Sequence, residues 1–169
     1  MIEIQNLSKS FGDNLVWENV SFNISDGETL AIIGKSGCGK SVLLKHLNAL
    51  LYPDQGEVVI DGHKLFEQSY AELRKIRQKF GILFQGGALF DSINTFENVA
   101  FPLRYFTDLD EPEIRKKVEK ALEMVNLVGS GDKPTSALSG GMRKRVGLAR
   151  AIILEPEYVL YDEPTSGLD

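Results

Sequence analysis

The sequence predicts an α/β fold: a core with a parallel sheet, an N-terminal antiparallel β portion, and a helical portion set apart from both. Three observations carry that reading. Gly34-Lys35-Ser36-Gly37-Cys38-Gly39-Lys40-Ser41 has the spacing G-x-x-x-x-G-K-S and lies between an apolar run at 29–33 and an apolar helical stretch at 42–51. The runs at 29–33, 80–84 and 158–161 are continuously apolar, as strands covered on both faces are. Ahead of them, Ile2/Ile4 and Val20/Phe22/Ile24 alternate with polar residues, the period of half-buried strands.

The elements follow in order. Asp26-Gly27 is a turn leading into the run at 29–33, and Glu57-Val58-Val59-Ile60 runs into Asp61-Gly62, a two-residue hairpin signal. Between Gln85 and Leu138 the texture is helical. Asp110 and Glu113 have capping-box spacing, and Ile114, Val118, Ala121, Leu122 and Val125 form one apolar stripe. Gly129-Ser130-Gly131-Asp132-Lys133-Pro134 breaks that helix. The next begins near Ser139 and turns Val146, Ala149, Ile152 and Ile153 inward before Pro156. The reading is one domain, 1–169, with an α/β core from 1–84 and 156–169 and a helical part from 85–155.

Composition narrows the function classes. The chain has 169 residues, 43% hydrophobic and 25% charged, enough for one core. A net charge of −5 gives no electrostatic case for nucleic acid. The single Cys38 rules out an internal disulfide. The first residues lack the basic and apolar regions of a signal peptide, and no apolar run approaches the roughly 18 residues of a membrane span. A role at a membrane would therefore run through a partner.

The glycine-rich stretch is a phosphate loop. Its glycines let the backbone curl, so that N–H groups from Gly34, Lys35, Ser36, Gly37, Cys38, Gly39, Lys40, Ser41 and Val42 surround a nucleoside triphosphate at a helix start. Lys40 reaches the β- and γ-phosphates and the Ser41 hydroxyl ligates Mg²⁺. Cys38 reads as a small side chain where backbone must approach phosphate; a reactive thiol beside Lys40 is the alternative. Asp162 and Glu163 end the run at 158–161, at the edge where ligands bind in open α/β sheets. Asp162 suits Mg²⁺ through water, and Glu163 suits general-base activation of an attacking water.

Leu138-Ser139-Gly140-Gly141-Met142 adds a second helix start that can face an anion. Together, these motifs make the chain resemble the nucleotide-binding subunits of ABC transporters, over essentially all its length. The resemblance implies an ABC ATPase of the P-loop class that binds ATP and Mg²⁺. It implies that Gln85 contacts Mg²⁺ and the attacking water, and that Phe11 stacks on adenine; a packed core aromatic is the alternative for Phe11. It further implies a homodimer when ATP is bound, two subunits meeting head to tail. Ser139, Gly140 and Gly141 of one subunit then cover the γ-phosphate held by the other. Asp169 closes Ser166-Gly167-Leu168-Asp169, the segment at that interface. Met142 departs from the usual glutamine. The family's switch histidine follows the catalytic strand, so His46 and His63 are both excluded. The chain is thus expected to be C-terminally incomplete and inactive alone.

Leu83-Phe84-Gln85-Gly86-Gly87-Ala88-Leu89-Phe90-Asp91-Ser92, then Asn98-Val99-Ala100-Phe101-Pro102-Leu103, most resemble the ATPases of Mla-type (Mce-associated) phospholipid transport. That resemblance implies a membrane permease, a lipid-binding envelope component, and a peripheral position on the cytoplasmic side of a bacterial inner membrane. A small-solute importer ATPase and a soluble ABC ATPase acting on nucleic acid or ribosomes are the alternatives. The interval from Ser41 to Leu138 leaves no room for the long coiled coil of ABC-type DNA-repair ATPases. The clusters Arg74-Lys75-Ile76-Arg77-Gln78-Lys79 and Arg143-Lys144-Arg145 read as solvated helix faces, with partner subunits or acidic lipid as the alternative.

Overall fold

The computed structural model describes residues 1–163, and the chain divides into two compact units, Met1–Arg77 and the residues from Gln78 onward. In the first, strands β1 (Ile2–Phe11), β2 (Asn14–Ile24), β3 (Gln55–Ile60) and β4 (His63–Lys64) form an antiparallel sheet in the order β2-β1-β3-β4. Register follows the alternating pattern: Ile2 faces Ile24 and Ile60, and Ile4 faces Phe22 and Val58. Ile2, Ile4, Leu7, Val58 and Ile60 are buried with Leu47 and Leu65. Asp61 and Gly62 both have positive φ, 51° and 81°, which is the backbone the predicted hairpin turn requires. The register slips between Ile4 and Leu7, next to Asn6 in the left-handed region. Asparagine tolerates that conformation, and Ser21 Oγ accepts from its N–H at 2.8 Å.

Two expectations for this unit are corrected. Residues 29–33 are neither strand nor buried: Ile33 is 94% exposed, and Leu30 and Ile32 are exposed as well. A doubly covered strand exists only through its ladder partners, and among the described residues no strand pairs with this run. Helix α1 also stops early, at Lys40–His46 rather than at Leu51. Ala49 turns left-handed at φ 54°, and the N–H groups of Leu50 and Leu51 both fold back onto the Lys45 carbonyl. Helix α2 (Tyr70–Gln78) follows, packing Leu73 and Ile76 inward.

In the second unit, β5 (Phe80–Leu83) and β6 (Tyr158–Tyr161) pair in parallel, Phe80 opposite Tyr158 and Leu83 opposite Tyr161. The Asp162 N–H donates to the Leu83 carbonyl at 2.9 Å, extending the ladder by one residue. Three capped helices accompany the pair. The Asn94 side chain accepts from the Glu97 N–H at the start of α3 (Thr95–Phe106). Asp110 and Glu113 complete the predicted capping box of α4 (Glu111–Met124) at 2.9 and 3.2 Å. Ser139 Oγ accepts from the Met142 N–H at 3.2 Å to start α5 (Gly140–Ile152). The apolar stripes of α3, α4 and α5 meet in one core of Val99, Leu103, Val118, Leu122, Val146 and Ala149.

The basic clusters are not only solvated faces. Arg77 donates to the carbonyls of Asn48 and Ala49, and Arg145 to those of Val125 and Asn126, where α4 ends. These guanidinium groups occupy carbonyls that helix and turn ends leave open.

Candidate functional site

The phosphate loop lies in the first unit. Gly39 precedes α1 in the left-handed region at φ 96° and offers the helix no side-chain cap. A Cβ at Gly39 would overlap Val16 Cγ1 and lie 2.7 Å from Trp17 Nε1, so glycine is required twice over. Lys40 folds back along the loop, Nζ donating to the carbonyls of Gly34 and Lys35 at 3.0 Å each. The Cys38 N–H closes the loop onto the Lys35 carbonyl at 3.3 Å, and the Cys38 side chain is exposed. Ser41 and Val42 are half-buried in the first turn of α1. Phe11 is 49% exposed with Lys9 Nζ 5.4 Å from its ring centre, which sets aside the packed-core alternative.

Behind α1 lies a buried aromatic edge that sequence reasoning passed over. His46 is fully buried, its Nδ1 2.7 Å from the Val42 carbonyl, and its ring meets Trp17 edge-on with centroids 5.2 Å apart. That contact puts the proton on Nδ1. Among the described residues, the buried His46 Nε2 and Trp17 Nε1 have no hydrogen-bond partner. Burial holds the His46 pKa below its ordinary value of 6.5.

In the second unit, Gln85, Asp162 and Glu163 come together at the carboxyl end of the β5–β6 pair. Gln85 Nε2 donates to Glu163 Oε2 at 3.2 Å. Glu163 has φ 49°, a left-handed conformation rare outside glycine and asparagine, so its side chain leaves the strand direction of β6. The loop after Gln85 is pressed on α5: a Cβ on Gly147 would stand 2.9 Å from Gly87 Cα and 3.0 Å from its carbonyl oxygen. Ser139, Gly140 and Gly141 form the amino end of this same α5, with Ser139 and Gly140 exposed and Gly141 half-buried. Met142, where the family carries glutamine, packs its side chain against the helical core. Asp169 and the rest of its segment lie outside the described residues.

Two further residues were missed. Asn98, fully buried, and Arg150, half-buried, are polar side chains on the otherwise apolar stripes of α3 and α5. A charge or amide at a core position was the available signal. Among the described residues, no cluster of three or more His, Cys, Asp or Glu forms a metal cage. In this unit the donors are the Gln85 amide and the adjacent carboxylates of Asp162 and Glu163. All offer hard oxygens and suit Mg²⁺, which takes few protein ligands and fills its octahedron with water and phosphate.

A parallel strand pair ending in two carboxylates, a glutamine loop, a serine-capped glycine helix and a phosphate loop define a nucleotide-binding cassette of the α/β class. The chain belongs to the ABC transporter family, whose profile matches residues 17–166. It is 51% identical over 168 residues to the "probable ribonucleotide transport ATP-binding protein mkl" of Mycobacterium leprae, covering 99% of this chain and 48% of that protein. It is 45% identical to the "intermembrane phospholipid transport system ATP-binding protein MlaF" of Haemophilus influenzae, covering 100% of this chain and 64% of that one. The chain thus spans about half to two thirds of the length of these relatives. Among solved structures, the ATP-binding cassette MJ0796, a dimer in a post-hydrolysis state bound to ADP and Pi, superposes with a TM-score of 0.92 at 36% identity. That match covers 100% of this chain and 76% of the MJ0796 chain.

Proposed function

We propose that this chain is the ATP-binding and ATP-hydrolysing part of a bacterial ABC transporter that moves phospholipid. The observation that carries the hydrolytic reading is the Gln85–Glu163 hydrogen bond at 3.2 Å beside Asp162. Glu163 takes a proton from water as the water oxygen bonds to the γ-phosphorus and the bridging P–O bond breaks to release ADP, and Gln85 orients that carboxylate and the water. Lys40 offers its ammonium to the β- and γ-phosphates, and the positive dipole end at the start of α1 meets the remaining charge. Phe11, exposed beside Lys9, is the platform for adenine. Ser41, Gln85 and Asp162 would hold Mg²⁺, which when bound neutralises phosphate charge. Ser139, Gly140 and Gly141 serve the nucleotide of a second copy, in a head-to-tail dimer that Asp169 helps to close.

The partner in the membrane is a permease. Phe90, Phe101 and Tyr105 form an exposed aromatic face, with Phe90 and Phe101 centroids 4.9 Å apart and the Phe101 and Tyr105 rings parallel at 6.2 Å. Three neighbouring exposed aromatics, two of them stacked, suit an apolar helix presented by a membrane protein. No helix among the described residues is long and apolar enough to cross a membrane. A peripheral place on the cytoplasmic side of the inner membrane follows from the proposal.

The cargo rests on relatives. The MlaF proteins of Haemophilus influenzae and Escherichia coli, at 45% and 40% identity, support lipid. The 51% identical mycobacterial protein, named for ribonucleotide transport, supports a second reading with a soluble nucleotide cargo. Purifying the full-length protein with its co-encoded membrane partner, then measuring ATPase activity and identifying bound small molecules by mass spectrometry, separates the two. Co-purified phospholipid with lipid-stimulated turnover is the expected result; ribonucleotide-stimulated turnover without lipid would replace it.

A further inference from the structure

The last residues of β1 are held by the loop that leads into β3. Strand β3 begins at Gln55, opposite Ser8, so its backbone does not reach as far as Phe11. On the other edge β2 continues, pairing Lys9 with Trp17, Ser10 with Leu15 and Phe11 with Asn14. Asp54 fills the place where the β3 ladder stops. Its N–H donates to the Ser8 carbonyl at 3.0 Å, and its Oδ2 accepts from the Ser10 N–H at 2.6 Å. Its Oδ1 accepts from Lys9 Nζ at 2.7 Å. Gly56 fixes the same stretch to β1: at φ 87° it approaches so closely that a Cβ would stand 2.3 Å from the Asn6 carbonyl oxygen.

An ion pair between two solvated groups contributes little to stability, and the Asp54 side chain is 46% exposed. Its placement supplies another use. The Lys9 side chain is only 13% exposed, and its ammonium lies over the Phe11 ring, 5.4 Å from the centre and within cation–π reach. One carboxylate thus fixes both the backbone next to Phe11 and the cation at its ring. The Lys9 ammonium, and after it the Ser10 N–H, hold the Asp54 carboxyl below its ordinary range, which keeps this anchor charged at neutral pH.

We propose that Asp54 and Lys9 are positioning residues for the nucleobase: Asp54 anchors the end of β1 and holds Lys9 against Phe11, so that the ring is set as a stacking platform before a nucleoside triphosphate arrives. The inference rests on the reading of Phe11 as the platform for adenine given above. A ring already held in place loses less conformational freedom when the base stacks on it. The cation draws ring electron density toward its own side, and the base takes the side that Lys9 leaves open, where repulsion between the two π-systems is lowered.

The test compares two ligands on the full-length protein by calorimetry: Mg-ATP, which carries a base, and Mg-tripolyphosphate, which does not. Lys9→Met should weaken Mg-ATP about threefold, the scale of one exposed cation–π contact, and leave Mg-tripolyphosphate unchanged. Asp54→Ala, which also frees the Ser10 N–H, should weaken Mg-ATP more, again with no change for Mg-tripolyphosphate. Asp54→Asn keeps an acceptor for that N–H and should fall between wild type and Asp54→Ala; it carries the test if the alanine variant does not fold. In the Phe11→Ala background, Asp54→Ala should cost no further affinity, because the platform it serves is gone. Unchanged Mg-ATP affinity in the Asp54 and Lys9 variants, equal losses for both ligands, or a full loss on top of Phe11→Ala would overturn the proposal. A Phe11→Ala protein that binds Mg-ATP like wild type would instead bring down the adenine-platform reading, and this inference with it.

Discussion

Residues 29–39 and 80–87 read alike in the sequence, each an apolar run leading into a glycine-containing loop that ends in chemistry, yet they differ in the structure. At 80–83 the run is a strand, paired residue for residue with β6, and its loop is pinned by α5. At 29–33 no strand among the described residues pairs with the run, and Ile33 stands 94% exposed. The loop that follows keeps its form all the same, through the Gly39 conformation, the Lys40 contacts with two carbonyls and the Trp17 edge. The lesson is that an apolar run specifies a wish for burial, while the strand itself is made by its partners. A phosphate loop is more local, because its hydrogen bonds and left-handed glycines close within a few residues.

If that contrast is right, the two loops fail differently. In the full-length protein Lys40→Ala should remove most of the Mg-ATP affinity measured by calorimetry, because it takes away the charge that meets the β- and γ-phosphates. Gln85→Ala should leave affinity nearly intact and reduce turnover. Equal losses of affinity would erase the distinction between a binding loop and a positioning loop.

Next in size is Gly147→Val. The added side chain meets backbone at 2.9 Å rather than a movable side-chain end, so α5 and the glutamine loop must part. Overpacking of this kind costs about 1–3 kcal/mol, read as a lower denaturation midpoint, and turnover should fall with it. A variant that melts like wild type and keeps full turnover would show that the close approach does not position Gln85.

Asp110→Ala removes the capping box of α4 and should cost about 1 kcal/mol of stability without changing ATP affinity, since it lies far from either loop in sequence. The smallest effect concerns His46. Its folded pKa is depressed by burial, so the unfolded chain binds the proton first as pH falls. The stability it contributes is complete above about 6.5 and is lost as pH drops from there through the folded value. Lys9 and Asp54 are the charged groups facing it, and they act in opposite directions. His46→Phe should flatten the fall in stability below about pH 6.5; an unchanged slope would assign that dependence to other groups.

Much of this was legible beforehand. The hairpin at Asp61-Gly62, the capping box at Asp110 and Glu113, the serine cap of α5 and the burial of Ile114, Val118 and Leu122 are local patterns, and the structure follows them. The phosphate loop and the Asp162-Glu163 pair were readable because their spacing is itself the chemistry. The strand at 29–33, the early end of α1, and the roles of Arg77 and Arg145 at carbonyl ends were not. The first and last depend on groups distant in sequence, ladder partners and carbonyls 28–29 and 19–20 residues away, and the early helix end depends on a left-handed Ala49, a conformation alanine does not advertise. Asn98 and Arg150 left only the trace of a polar residue on an apolar stripe.

The central claim is that nucleotide held by one copy is completed by the Ser139 end of α5 of another. Light scattering on full-length Glu163→Gln protein, with and without Mg-ATP, tests it directly. Glu163→Gln removes the general base while Lys40 and the loop remain, so ATP should stay unhydrolysed and the mass should double on its addition. Adding Ser139→Arg, which fills the helix tip where a phosphate from the partner must sit, should return the mass to that of a single copy with ATP still bound. A mass that ignores ATP in the Glu163→Gln protein, or doubling that survives Ser139→Arg, would contradict the account.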